Sequence, residues 1–290
     1  MKNPPPSHCV VFCNFGDNFW VEKNIENLSS FDVFNHYTVI DSNLLPKSQA
    51  LGLKPLKKQW KPPVRVIPNK NTNFLHASFE HAEALNRVLR KLDCTCDFVW
   101  IFDTDLFISK LASDYLVDQT ELYDAIFMQD PQQTLFSHPC LSIIRRSLIE
   151  KINFLPSEID LLTKSQAKRK LIDTGRTMAA NLAQSGAKVA ILRRNAGAKF
   201  RTRNPFPTHF PDFYLDGEIV HFKSMSFVAR EDAKGRFELS DYVRYQFPRN
   251  FVVKISESHS KTIFRNFQNY EIRKCLFYLK VFIIKRNLKE

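Results

Sequence analysis

Short, unbroken apolar runs, each stopped by a polar or acidic residue, restrict the fold of this chain more than any other feature. Val10-Val11-Phe12-Cys13-Asn14-Phe15 runs into Gly16, and Tyr37-Thr38-Val39-Ile40 stops at Asp41-Ser42-Asn43. Phe98-Val99-Trp100-Ile101-Phe102 stops at Asp103-Thr104-Asp105. Ala125-Ile126-Phe127-Met128, residues 141–144 and Val189-Ala190-Ile191-Leu192 continue the series. Apolar runs without alternation suit strands buried on both faces. Between them lie helical stretches at 19–30, 76–92, 110–120, 147–153 and 166–185; in the second, Phe79, Ala82, Leu85, Leu89 and Leu92 form the apolar stripe. The alternation predicts an α/β fold, with a mostly parallel central sheet and helices on both faces. Ligands on such sheets bind at the carboxyl ends of the strands, which places Asn14, Asp41 and Asp103 on one edge.

Composition removes several alternatives. Apolar residues are 44% and charged residues 25% of 290, ordinary for a globular chain able to bury a core. Glycine is scarce, 7 where average usage gives about 20. Gly16, Gly52, Gly175, Gly186, Gly197, Gly217 and Gly235 never fall at GxGxxG or GxxxxGK(S/T) spacing. A dinucleotide-binding turn and a Walker A loop are therefore excluded, since both need glycines where backbone meets phosphate. GxSxG and HExxH are absent as well. Residues 44–72 hold Pro46, Pro55, Pro62, Pro63 and Pro68, the mark of a long irregular insertion, with one strand at 64–67.

The cysteines Cys9, Cys13, Cys94, Cys96, Cys140 and Cys275 include no CxxC pair, and CxC at 94–96 is not zinc-knuckle spacing. The opening MKNPPPSHCVV has prolines where a signal peptide needs an unbroken apolar run. No stretch approaches the ~18 apolar residues of a membrane-crossing helix. Free thiols in a cytoplasmic protein are the expectation. The net charge of +12 is clustered: Lys54, Lys57, Lys58, Lys61, Arg65 and Lys70 stand without an acid, as do Arg193, Arg194, Lys199, Arg201 and Arg203. Such clusters attract nucleic acid, anionic lipid or phosphorylated small molecules. From 231 onward the chain is less regular. It ends in a basic amphipathic helix, with Ile272, Leu276, Leu279, Phe282 and Ile283 among Lys274, Lys280, Lys285, Arg286 and Lys289. Such a helix either docks on its own core or lies on an anionic membrane.

Asp103-x-Asp105 carries the chemistry. Two carboxylates at i, i+2 of an extended segment share a face. As hard oxygen ligands they suit Mg²⁺ or Mn²⁺, which bridges diphosphate oxygens and neutralises a departing diphosphate. Acidic loops after strands are also common helix caps, so the pair gains weight from its company. His81-Ala82-Glu83-Ala84-Leu85-Asn86-Arg87-Val88-Leu89 precedes the strand that ends at Asp103-Thr104-Asp105. His138-Pro139-Cys140-Leu141-Ser142-Ile143-Ile144-Arg145-Arg146, Asp173-Thr174-Gly175 and Ile219-Val220-His221-Phe222 follow it in order. Over residues 8–225 these segments resemble the family-2-like GT-A glycosyltransferases, which belong to the nucleotide-diphospho-sugar transferases. One departure stands out: the family's Glu-Asp pair is missing, and Asp173 sits about two residues from its place.

The resemblance implies a GT-A domain over 1–230 with a C-terminal extension over 231–290. It implies that Asp105 and His221 hold Mn²⁺ or Mg²⁺, with Asp103 as a further metal contact that orients the ribose or a metal-bound water. Asn14, Asp41 and Asn86 fall to the nucleotide side, with Asp41 accepting from the base, and Asp173 is the candidate general base of an inverting transfer. The partners implied are a nucleotide-diphospho-sugar donor and a glycan or glycolipid acceptor, with peripheral contact to the inner face of an anionic membrane. His138 with Pro139 is placed at the acceptor pocket, whereas His76 and His81 are read as structural. Three rivals stay open: a nucleic-acid-binding protein with a basic surface, for which no recognition motif is found; a nucleotidyltransferase using the same acidic pair; and a GT-A fold without activity.

Overall fold

The computed structural model describes residues 5–14, 18–44, 54–56, 60, 63–69, 77–129, 137–154, 175, 178–195, 212–221 and 252–255. The apolar runs become the central strands: β1 (His8–Asn14), β2 (Phe34–Asp41), β4 (Phe98–Asp103), β6 (Ala125–Gln129), β7 (Ser137–Arg145) and β8 (Val189–Leu192). The proline-rich insertion contributes β3 (Val64–Pro68) at one edge, and β11 (Val252–Ile255) closes the other. The order across the sheet is β11-β8-β6-β7-β4-β1-β2-β3. Strands β3, β2, β1 and β4 are mutually parallel, as are β6 and β8. Only β7 and β11 run against the rest.

The alternation of side chains explains why both faces are apolar. In β1, Cys9 and Val11 face one core while Val10 and Phe12 face the other. In β4, Val99 and Ile101 join the first core, and Phe98, Trp100 and Phe102 the second. Helices α2 (Ala77–Arg90) and α4 (Met178–Gln184) cover the first face through residues such as Ala82, Leu85, Leu89 and Leu182. Helices α1 (Asn18–Leu28) and α3 (Lys110–Gln119) cover the second through Val21, Ile25, Ala112 and Leu116. A small antiparallel sheet also packs there, ordered β5 (Leu106–Ile108), β10 (Ile219–His221), β9 (Asp212–Tyr214). The mostly parallel sheet with helices on both faces is the architecture expected from the sequence.

Several local readings change. The helix expected at 147–153 is a 3-10 turn, Arg146–Lys151. Its first residue is anchored to the exit of α2: the Arg146 guanidinium donates to the carbonyls of Leu89 and Leu92, at 3.2 and 2.9 Å. Of the helix expected at 166–185, the described part is α4. Strand β11 comes from the segment beyond residue 230, so the central sheet takes its last strand from the C-terminal extension. The basic helix at 270–290 lies outside the described residues. The cysteines depart from the expectation of isolated free thiols: Cys9 and Cys96 are in disulfide contact, with the Cys94 thiol beside both. Among the described residues, no helix is long and apolar enough to cross a membrane.

Candidate functional site

The chain reverses its direction across the sheet between β1 and β4. From β1 it winds outward to β2 and β3, and then returns to lay β4 on the other side of β1. A crevice opens at the carboxyl ends of strands where the winding reverses. In register, Cys13 pairs with Asp103 and Asn14 with Asp41, so all the strand-end polar residues meet at this place.

Asp103 ends β4 and Asp105 directly precedes β5, so the two carboxylates belong to different sheets. His221 ends β10, where it pairs with Leu106 and is carried against the acidic pair. Its Nε2 lies 3.4 Å from Asp105 Oδ1 and 3.7 Å from Asp103 Oδ2. The Asp105 and His221 side chains are 6% exposed, whereas that of Asp103 is 26% exposed and opens the site to solvent. One ligand atom from each residue falls within 4.8 Å of the other two. The 3.4 and 3.7 Å separations are within the reach of ligands at about 2.0–2.2 Å from a common cation. The donor set, two carboxylates and an imidazole, therefore fits a divalent ion.

Behind His221 sits a second group that sequence reasoning did not assemble. His138 and Cys140 lie on β7, and the His138 and His221 rings are 5.2 Å apart between centroids. Ligand atoms of His138, Cys140 and His221 also lie within 4.8 Å of one another. Burial alone would lower the basicity of His221, but Cys140 and Asp105 outweigh it and hold the imidazole well above its ordinary range. For Cys140, burial works upward, and His138 and His221 pull the thiol below its usual value. Strand alternation could have placed Cys140 on the same sheet, but not against a histidine eighty residues later.

The nucleotide-side residues are placed unevenly. Asp41 is fully buried, and three of the chain's own donors use its carboxylate. Asn14 Nδ2 (3.1 Å) and the Asn43 N–H (3.1 Å) donate to Oδ1, and the Leu56 N–H (2.8 Å) donates to Oδ2. Asp41 thus organises the loop after β2, and its expected role as acceptor for a base stays a proposal. Asn14 is also fully buried. Its amide nitrogen is spent on Asp41 and, at 2.8 Å, on Asn18 Oδ1, and since a carboxylate only accepts, the amide orientation is fixed. Its Oδ1 is buried with no hydrogen-bond partner among the described residues.

Asn86 does not join the site. Its Nδ2 donates to Asn153 Oδ1 (2.7 Å) and its Oδ1 accepts from the Phe154 N–H (2.9 Å), so it fastens α2 to the chain after β7. Asp173 lies outside the described residues. Two positions on, Gly175 is held beneath β7: its carbonyl accepts from Ser137 Oγ at 2.7 Å, and its φ of +67° suits glycine. Arg194, of the basic cluster at 193–203, pairs with fully buried Asp212 at 2.6 Å. Asp212 faces His221 across the β9–β10 ladder, another neighbour the sequence did not reveal.

Missed as well was the clamp on the acidic pair. Asn24 Nδ2 donates at 2.7 Å to the carbonyl of Thr104, the residue between the aspartates. Asn27 Nδ2 donates at 2.8 Å to the carbonyl of Ile108.

No family model and no curated protein matches the chain. Solved structures do resemble it. A mannosyltransferase from Pyrobaculum calidifontis, in complex with GDP-Man and Mn²⁺, is 16% identical with a TM-score of 0.43, over 64% of this chain and 54% of that one. A glucosyl-3-phosphoglycerate synthase from Mycobacterium tuberculosis, in complex with Mn²⁺, UDP and glucosyl-3-phosphoglycerate, is 18% identical with a TM-score of 0.37, over 52% and 61%. A 4-diphosphocytidyl-2C-methyl-D-erythritol synthase from Anaerococcus prevotii is 12% identical with a TM-score of 0.37, over 65% and 87%. The chain spans just over half the length of the mannosyltransferase.

Proposed function

We propose that the chain is a metal-dependent glycosyltransferase, moving a sugar from a nucleotide-diphosphate donor to a hydroxyl of a glycan or lipid-linked acceptor. The observation that carries this reading is the convergence of Asp103, Asp105 and His221 at the reversal of the winding. Two acids and an imidazole form a mixed oxygen and nitrogen set, which favours Mn²⁺ over the all-oxygen preference of Mg²⁺. Such an ion, when bound, neutralises charge on the diphosphate that leaves with the nucleotide.

The chain's own groups do the rest. Asp105 and His221, both buried, fix two ligand positions, and half-open Asp103 faces the entering donor and its ribose. Asn14 and Asp41 stand on the nucleotide side, where Asp41 also keeps the surrounding loop in shape. His138 lies toward the acceptor side. Asp173 serves as general base for the acceptor hydroxyl, giving inversion, a role that rests on the sequence resemblance. A site at the cytoplasmic face of a membrane fits a lipid-linked acceptor and the basic tail.

The deciding experiment is thermal melting with a panel of sugar nucleotides, with and without Mn²⁺. A donor at about 100 times its Kd stabilises the fold by ~2.7 kcal/mol. A Mn²⁺-dependent shift with one nucleotide class is expected, retained in Asp173→Asn and abolished in Asp105→Ala. Absence of any shift in the native chain overturns the reading, as does pyrophosphate release from a nucleoside triphosphate, which marks a nucleotidyltransferase.

A further inference from the structure

Three sulfurs meet at the end of the sheet opposite the acidic crevice. Cys9 is the second residue of β1 and lies five positions before Asn14, about 16 Å along a strand. Cys94 and Cys96 lie on the connection from α2 to β4. Cys94 Sγ is 3.3 Å from Cys9 Sγ and 3.0 Å from Cys96 Sγ, and Cys9 and Cys96 are themselves in contact.

The convergence is built by the scaffold. The Ser7 N–H and Oγ donate to Asp97 Oδ2 at 2.8 and 3.0 Å, and the Asp97 N–H returns to the Ser7 carbonyl at 2.9 Å. Ser7 Oγ also reaches the Thr95 carbonyl at 3.4 Å. These bonds lock the segment carrying both later cysteines onto the start of β1, whatever the state of the sulfurs. Cys9 and Cys96 are buried, and Cys94 is half-buried, so the cluster is closed on the core side and open on the other. One disulfide uses two cysteines. A third sulfur held against both has no place in such a pair, whereas three converging thiols are the donor set of a soft cation.

We propose that the reduced chain holds a thiophilic cation of the Zn²⁺ or Cu⁺ class on Cys9, Cys94 and Cys96. On binding, three S–H groups release their protons and three thiolate–metal bonds form, with no change in oxidation state. Where Cys9 and Cys96 are joined, a phosphine first cleaves the bond: the two sulfurs take up two electrons from phosphorus and two protons from water to become thiols, and the phosphine leaves as its oxide. The ion staples the connection before β4 to β1 and leaves a coordination position open beside Cys94. This site is separate from the acidic crevice and does not depend on the function proposed for it.

The test uses the full chain, reduced with a phosphine under anaerobic conditions and titrated with Cd²⁺. Thiolate-to-cadmium charge transfer absorbs in the near ultraviolet, where carboxylate and imidazole complexes do not. The expected result is a band that saturates at a single ion per chain, is displaced by Zn²⁺ and is unchanged in Asp105→Ala, Cys140→Ser and Cys275→Ser. Cys94→Ser removes only the half-buried sulfur, so the fold should survive. Its affinity is expected to drop by at least the ~10–100-fold that loss of even an outer-shell partner costs. Circular dichroism confirms that this variant is folded. No band, or a band unaltered in Cys94→Ser, overturns the proposal. So does peptide mass spectrometry that finds Cys9 and Cys96 still joined after reduction in the presence of Zn²⁺.

Discussion

His8 shows how one buried side chain contributes to the response of the fold to acid. It is 2% exposed, and its Nδ1 accepts from Trp100 Nε1 at 3.0 Å. Burial lowers its pKa from 6.5 to about 4, against a smaller upward pull from Asp97. Above pH 6.5 the ring is neutral in folded and unfolded chains alike, so it contributes nothing to pH dependence. As the pH falls below 6.5 the unfolded chain takes up a proton that the folded one refuses, and stability is lost until about pH 4. The slope is about 1.4 kcal/mol per pH unit, for a total of roughly 3 kcal/mol. In His8→Asn a side-chain carbonyl can still accept from Trp100 but does not titrate. Its melting temperature is expected to fall less steeply than the native one between pH 6.5 and 4. Parallel slopes would remove His8 as the cause.

Among the elements, α1 matters beyond its contribution to the core. Asn24 and Asn27 stand three residues apart on one face and donate to the carbonyls of Thr104 and Ile108, holding the link between the aspartates and the strand β5 that follows it. Asn24→Ala leaves a buried carbonyl without its donor, at a cost of about 1–3 kcal/mol. It is also expected to weaken Mn²⁺ binding on the order of tenfold. Asn27→Ala, aimed further along the strand, should affect binding less; isothermal titration with Mn²⁺ compares the two. These asparagines explain the limit of legibility in the sequence. The strand-end acids could be read because unbroken apolar runs announce buried strands, and the fold class fixes where such strands end. His221 came through its likeness to a known segment. The partners of Asn24 and Asn86 could not be read, because each lies more than sixty residues away with no local spacing to betray it. The short strands β5, β9 and β10 were similarly obscure, each being three residues long.

At the scale of the molecule, the central sheet is completed by β11, from a segment the sequence had set apart beyond residue 230. A chain truncated at 230 exposes the backbone edge of β8. It is expected to lose roughly 2 kcal/mol, a fall of about 4–8 °C in melting temperature, and to self-associate through the bare edge. Calorimetry and light scattering check both, and an unchanged melting temperature would show β11 to be dispensable. The two sheets share another dependence. Asp103 closes a strand of the large one, Asp105 stands at the threshold of the small one, and only Thr104 lies between. With a joint one residue long, whose carbonyl is gripped by Asn24, the small sheet has no slack against the large one. The gap between the carboxylates is geared to the angle between the sheets. Any tilt of β9 and β10 is transmitted, at short leverage, straight to the place where charge is held.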